Sequence, residues 1–333
     1  MSRWIIWMLL SVAVIPAYGQ RDGNWKKVID LKGRWLFSIG DNKRWADPDY
    51  NHRDWETIWV PSKWEDQGFN GYDGYAWYRH TFDGTLLKDQ ELTYTLILGY
   101  IDDVDEVYVN GVKIGSSGSF PPRFHTAYNA KRTYNIPREV IRFNGKNVIA
   151  VRVYDSGIEG GIIKGDVGIF TDEDAKMFAV NLQGLWDFTT EERYFISRDV
   201  KKRNDRTPAP DATWTTINVP GPWEHQGFER FDGTAWYRKQ FFVPKSLEGE
   251  DLVLVMGRID DYDETYVNGK LVGSTDQYNS LRVYHFPPGV LRPGAINLLM
   301  IYVADYAGMG GIYEGPVGIM KQSQFTRFMR WRN

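Results

Sequence analysis

Apolar and polar positions alternate over short stretches along most of the chain, and long helical periodicity is missing. Val107-Tyr108-Val109 and Val112-Lys113-Ile114 flank Asn110-Gly111, a pair that suits a two-residue hairpin turn with positive φ at both central positions. Tyr266-Val267 and Leu271-Val272 flank Asn268-Gly269 in the same way. Val148 to Tyr154 and Leu298 to Val303 are apolar runs rich in β-branched residues, which predicts buried strands. Val60-Pro61 and Val219-Pro220 close strands, because proline withholds a ladder donor. Many short strands parted by turn residues predict an all-β chain of two sandwiches.

Two halves follow from a duplication. Trp64-Glu65-Asp66-Gln67-Gly68-Phe69, running on to Ala76-Trp77-Tyr78-Arg79, returns as Trp223-Glu224-His225-Gln226-Gly227-Phe228, running on to Ala235-Trp236-Tyr237-Arg238. Eleven of those sixteen positions are identical. A second block, Gly99 to Gly111, returns as Gly257 to Gly269. The period, about 150 residues, far exceeds the roughly 20–50 of solenoid repeats and marks a whole duplicated domain. We expect a first sandwich over residues 20–174 and a second over 175–333, with Thr171-Asp172-Glu173-Asp174 as a short acidic joint that keeps the two close. An insertion from Arg193 to Ala212, and its shorter counterpart from Arg44 to Arg53, are read as solvent loops.

Composition narrows the function classes. The formal net charge of -3 supplies no field for nucleic acid or an anionic membrane. The basic stretch from Lys321 to Arg332 is read as a solvated end. Arg3, the apolar run from Trp4 to Ile15 and Ala17-Tyr18-Gly19 predict a signal peptide over residues 1–19, too short to span a bilayer. Secretion or a periplasmic location follows as the expectation, and the lack of cysteine excludes lipid attachment through an N-terminal cysteine. The five histidines fall where the other half has something else, which disfavours a zinc or iron centre.

The run Trp-Tyr-Arg at 77–79, then Gly-x-Ile-Asp-Asp-x-Asp-Glu at 99–106, then Tyr-Val-Asn-Gly at 108–111 resembles the sugar-binding domain of glycoside hydrolase family 2. It is also similar to the β-sandwich of sialate O-acetylesterases. Both belong to the galactose-binding-like jelly-roll group, so the resemblance implies two tandem jelly-roll sandwiches. Its known enzymes carry a separate barrel with the catalytic glutamates, or a serine nucleophile in a Gly-Asp-Ser-like context. The 333 residues leave no room for the barrel, and Gly115-Ser116-Ser117-Gly118-Ser119 fails the nucleophile-elbow spacing. The catalytic half is therefore expected to be missing.

Candidate ligand residues are those present twice. Asp102, Asp103 and Asp105 recur as Asp260, Asp261 and Asp263. In an extended segment Asp103 and Asp105 share a face about 6–7 Å apart, in the range of a glycosidase carboxylate pair. The same oxygens also suit sugar hydroxyls or a structural calcium, and the plain structural reading is a bend held by backbone bonds and an arginine. Arg79 and Arg238 are the expected arginine partners of those aspartates. Trp64, Tyr72 and Trp77, with Trp223, Phe231 and Trp236, are candidate stacking platforms. Asp73 and Asp232 lie in turns, while Asp155 and Asp305 open the loops Asp155 to Gly161 and Asp305 to Gly311.

The sequence thus predicts a non-catalytic carbohydrate-binding protein acting in glycan degradation, with no cofactor beyond that structural calcium. One alternative is a glycoside hydrolase family 2-like enzyme or an accessory subunit of a separate glycosidase or acetylesterase chain. Another is a structural module that docks partner proteins.

Overall fold

The computed structural model describes residues 25–89, 92–172, 174–190, 192–193, 207–228 and 230–332. The leader expected over 1–19 and most of the insertion from Arg193 to Ala212 lie outside the described residues. The first half holds β1 (Trp25–Asp30), β2 (Gly33–Ile39), β3 (Glu56–Val60), β4 (Gly74–Asp83) and β5 (Tyr94–Asp102). It continues with β6 (Val104–Val109), β7 (Val112–Ser117), β8 (Lys131–Ile136), β9 (Lys146–Asp155) and β10 (Gly161–Asp172). The second half opens with β11 (Phe178–Asn181), β12 (Gly184–Thr189), β13 (Glu192–Arg193), β14 (Thr207–Pro208), β15 (Thr215–Val219) and β16 (Gly233–Val243). There follow β17 (Leu252–Ile259), β18 (Tyr262–Val267), β19 (Lys270–Thr275), β20 (Leu281–His285), β21 (Ala295–Asp305), β22 (Ile312–Lys321) and the helix α1 (Gln322–Arg332).

The protein is all-β, two tandem jelly-roll sandwiches. In the first, a four-stranded sheet ordered β1-β10-β5-β8 faces a six-stranded sheet ordered β3-β2-β4-β9-β6-β7. The second repeats the plan as β11-β22-β17-β20 and β15-β12-β16-β21-β18-β19, with β13 and β14 as a separate ribbon. Alternation along each strand sends Trp35, Phe37, Tyr78 and Val151 into one core, and Trp186, Phe188, Tyr237 and Ile301 into the other. The hairpin expectation holds: Asn110 and Gly111 have φ of 50° and 83°, and Asn268 and Gly269 have φ of 50° and 78°.

Each half also starts the same way. Trp35 Nε1 donates to Leu31 O at 2.8 Å and Trp186 Nε1 to Leu182 O at 2.7 Å, so each large ring enters its core with its one donor satisfied. The halves touch directly: Gly118 N donates to His225 O at 2.8 Å and Asn181 Nδ2 to Thr93 Oγ1 at 2.8 Å.

Two readings are corrected. The Arg44 to Arg53 segment is not a free solvent loop, because Trp45 packs with Trp55 over Trp77 and Ala150 on the outer face of the six-stranded sheet. The basic C-terminal stretch is not a solvated end. Residues 322–332 form a helix whose Phe325, Phe328 and Met329 sit at three-and-four spacing and pack on Val253, Val255 and Met320. Among the described residues no helix is long and apolar enough to cross a membrane.

Candidate functional site

At one rim of the first sandwich, three carboxylates converge. Asp102 is the last residue of β5, Asp103 lies in the turn before β6, and Asp155 ends β9. Their nearest oxygens lie within 4.8 Å of one another, and those of Asp260, Asp261 and Asp305 do the same at the matching rim of the second half. The chain bends at Asp103, so Asp103 and Asp105 do not share a face as an extended segment would require. Asp105 instead points into the sandwich, fully buried, where Arg132 Nε donates to it at 2.7 Å and the Tyr134 hydroxyl also donates. Asp263 repeats this with Arg282 Nε at 2.9 Å and the Tyr284 hydroxyl at 2.8 Å. No glycosidase-type pair is formed by Asp103 and Asp105.

The arginine partners are therefore Arg132 and Arg282, not Arg79 and Arg238. The signal lay in Arg132-Thr133-Tyr134 and Arg282-Val283-Tyr284, where the same two side chains alternate onto the inner face in both halves. Each arginine also reaches the rim: Arg132 Nη2 donates to Asp103 O at 2.9 Å and Arg282 Nη2 to Asp261 O at 3.1 Å. A planar fork with several fixed donors ties the buried aspartate to the backbone of the triad. Arg79 instead donates to the carbonyls of Trp45, Asp47 and Pro48, pinning the segment that covers the outer face. Arg238 pairs with Asp187 at 2.9 Å and lies over the Trp214 ring.

Glycines let the rim loops close. A Cβ on Gly160 would fall 2.1 Å from the Trp64 ring, and one on Gly310 would fall 2.2 Å from Trp223. Both indoles are thus sealed under the loops that carry Asp155 and Asp305. Trp64, Trp77, Trp223 and Trp236 are all buried and offer no open face to a sugar. Trp77 donates to Asp41 Oδ1 at 3.1 Å, and Trp236 is covered by Trp214, Tyr266 and Tyr302. Tyr72 and Phe231 are half-buried, packed edge-on to Trp64 and Trp223. An exposed ring at the second rim is Tyr306, 73% accessible, whose N–H donates to Asp261 Oδ2 at 2.7 Å. Its first-half counterpart, Ser156, donates to Asp103 Oδ2 through both N–H and hydroxyl. Tyr306 was missed in sequence because the first half has no ring there.

The electrostatics of the rims are one-signed. Burial pushes the Asp155 carboxyl up to about 7 against the Gly157 N–H, with Asp103, Asp73 and Glu65 adding to the rise. Burial, the hydrogen bond with Asp103 and the Asp103 charge raise Asp102 to about 7 as well. Asp103 goes the other way, since donors from Thr126 and Ser156 outweigh its burial. In the second half burial lifts Asp260 and Asp305 to about 6, and Asp232 and Asp261 contribute to the latter. Asp73 and Asp232 are exposed and face these triads from the turns where they were expected.

Each triad holds one buried oxygen without a partner. Asp155 Oδ1 accepts from Gly157 N and Asp305 Oδ1 from Ala307 N, but Oδ2 of both is buried without a hydrogen-bond partner. Two opposed ligands of a calcium ion sit about 4.6–5.2 Å apart, given Ca–O distances of 2.3–2.6 Å. The triad oxygens, all within 4.8 Å of one another, stay inside the reach of one such ion, so these oxygen-only donors fit a hard cation. The half-buried Asp102, Asp260 and Asp261 are the members a sugar hydroxyl could reach.

Residues 40–159 match the sequence family described as the β-galactosidase second all-β domain, a little over a third of the chain. No curated protein sequence matches. Among solved structures, Bacteroides uniformis β-glucuronidase 2, as a D341A D367A calcium-binding mutant, is 15% identical, with 84% of this chain and 28% of that chain covered at a TM-score of 0.37. A β-glycosidase from Bacteroides vulgatus is 17% identical, with 83% and 29% covered at a TM-score of 0.35. A β-D-glucuronidase from Dictyoglomus thermophilum is 22% identical, with 38% and 19% covered at a TM-score of 0.30. The chain spans less than a third of the length of these solved chains. The chain is thus built of two β-sandwiches, and residues 40–159 of the first are similar to an all-β domain of β-galactosidases.

Proposed function

We propose that the protein is an exported, non-catalytic carbohydrate-binding protein that acts in glycan degradation beside a separate glycosidase chain. The observation that carries this reading is the pair of matched acidic rims, each with a half-buried carboxylate, Asp102 or Asp260, at its opening. Ionised carboxylates accept charge-assisted hydrogen bonds from hydroxyls, and a sugar offers several in fixed array. Calcium held by Asp102, Asp103 and Asp155, or by Asp260, Asp261 and Asp305, would neutralise the rim and draw sugar oxygens to itself.

Binding suits the geometry better than hydrolysis. A glycosidase holds its two carboxyl groups apart, about 5–9.5 Å, with the scissile bond between them. Here the nearest oxygens of each triad all lie within 4.8 Å of one another, too close to hold a scissile bond between them. Calorimetry against a glycan panel, with and without calcium, tests the reading in the wild type and in the Asp155→Asn/Asp305→Asn variant. Binding by the wild type that weakens at least tenfold in the variant supports it. A folded protein that binds no glycan in either condition ends it. Turnover of aryl glycosides, lost in Asp102→Asn, would replace it with the enzyme reading.

A further inference from the structure

A second concave region lies away from the rims, on the outer face of the first six-stranded sheet. A cavity of about 570 Å³ is lined there by Arg34 from β2, Arg79 from β4, Arg142 and Lys146 near the start of β9, and one carboxylate, Asp49. Four cations against one anion give this spot the opposite sign to the chain as a whole, whose formal net charge is -3. Among the described residues Arg34, Arg142 and Lys146 form no ion pair with a carboxylate. Arg79 is 1% exposed, yet its Nε has no hydrogen-bond partner. Its charge adds to the potential in the cavity while its Nη groups hold the carbonyls of Trp45, Asp47 and Pro48.

The rest of the wall is aliphatic. Leu36, Pro48 and Val148 line the same cavity, and its volume is that of a small-molecule site. Apolar contact on one side and a fan of guanidinium and ammonium groups on the other suit a sugar ring that carries an oxyanion, with its C–H face on the aliphatic wall. We propose that this cavity binds an anionic saccharide, one bearing carboxylate or sulfate groups. The acidic rims would repel such a ligand, so the two surfaces divide substrates by charge. In the second half the matching arginine, Arg238, is already paired with Asp187 and laid over Trp214. Only the saccharide part of this inference rests on the carbohydrate-binding reading.

The test titrates the full chain with an oligo-uronate, a sulfated oligosaccharide, a neutral oligosaccharide of equal length and inorganic sulfate. The wild type should bind the charged oligosaccharides at least tenfold more tightly than the neutral one, with affinity falling as salt rises. Arg142→Glu/Lys146→Glu should abolish that preference, and Arg142→Gln/Lys146→Gln should weaken it severalfold if charge reversal impairs folding. Both positions are exposed. Asp155→Asn/Asp305→Asn should leave anion binding intact, which separates failure here from failure at the rims. Equal affinity for charged and neutral oligosaccharides, unchanged affinity in both cavity variants, or inorganic sulfate binding as tightly as the oligosaccharides would each overturn the proposal.

Discussion

The two halves share topology, hairpins and rim chemistry, and they differ in what lies over their outer faces. In the first, the segment from Arg44 to Arg53 folds back on the six-stranded sheet and is pinned by Arg79. In the second, the matching arginine stands at the surface with Asp187 and Trp214. The four-stranded sheets differ too. Thr95 and Ile97 of β5 are buried on the side where the second half approaches, with Asn181 on Thr93 and Gly184 beside Asn135. The corresponding Val253 and Val255 of β17 lie under α1. Duplication preserved the parts that set the sandwich and its rim, while the outward faces took separate covers.

The largest test of this comparison is at the part held in common. Arg132→Ala and Arg282→Ala each leave a buried aspartate unpaired and release the triad backbone, so each should cost about 3–5 kcal/mol by calorimetry or denaturant melts. A cost confined to one of them would break the equivalence of the halves. Next comes a part that differs. Phe328 is 2% exposed, and Phe328→Ala should cost about 3 kcal/mol, with hydrogen exchange accelerating in β17 and β22 but not in β5 and β10.

A smaller effect is expected from the rim carboxyls. Their folded pKa values lie above the ordinary 3.8, so the fold favours the protonated form. The stability this contributes is full below pH 4. It is lost as pH rises to about 7 for Asp155 and about 6 for Asp305. Asp155→Asn and Asp305→Asn should therefore match the wild type at pH 4 and melt higher at pH 8, by about 2–4 °C per kcal/mol recovered. The Asp155 curve should flatten over the wider pH span. Calcium should raise the wild-type melting temperature at pH 8 more than at pH 5, and should do so less in either variant. The smallest stability effect belongs to Tyr306→Ala, within about 0.5 kcal/mol, since the ring is exposed. If the second rim holds a sugar, that substitution should still weaken glycan binding severalfold in titrations.

Much of the fold was legible from local rules. Asn-Gly pairs demand their turn, strand alternation fixes which side chains share a face, and the repeat shows where a unit begins again. What alternation leaves open is whether a face is covered. Trp77 and Trp236 do lie on outward faces, as a stacking platform would, but other aromatic side chains close over them. The rim was half legible: Asp102, Asp103 and Asp155 are brought together, but the strand break at Asp103 turned Asp105 inward. The aspartate's true partner, Arg132, sits 27 positions away, beyond any local pattern. The helix at 322–332 was hidden because its three apolar anchors are spread among basic and polar residues.

That helix has a consequence for assembly. By occupying the patch made of Val253, Val255 and Met320, α1 removes the landing surface on which another sandwich would otherwise stack as the second does on the first. A fragment trimmed before Gln322 would bare that greasy strip and leave a sticky, self-associating surface.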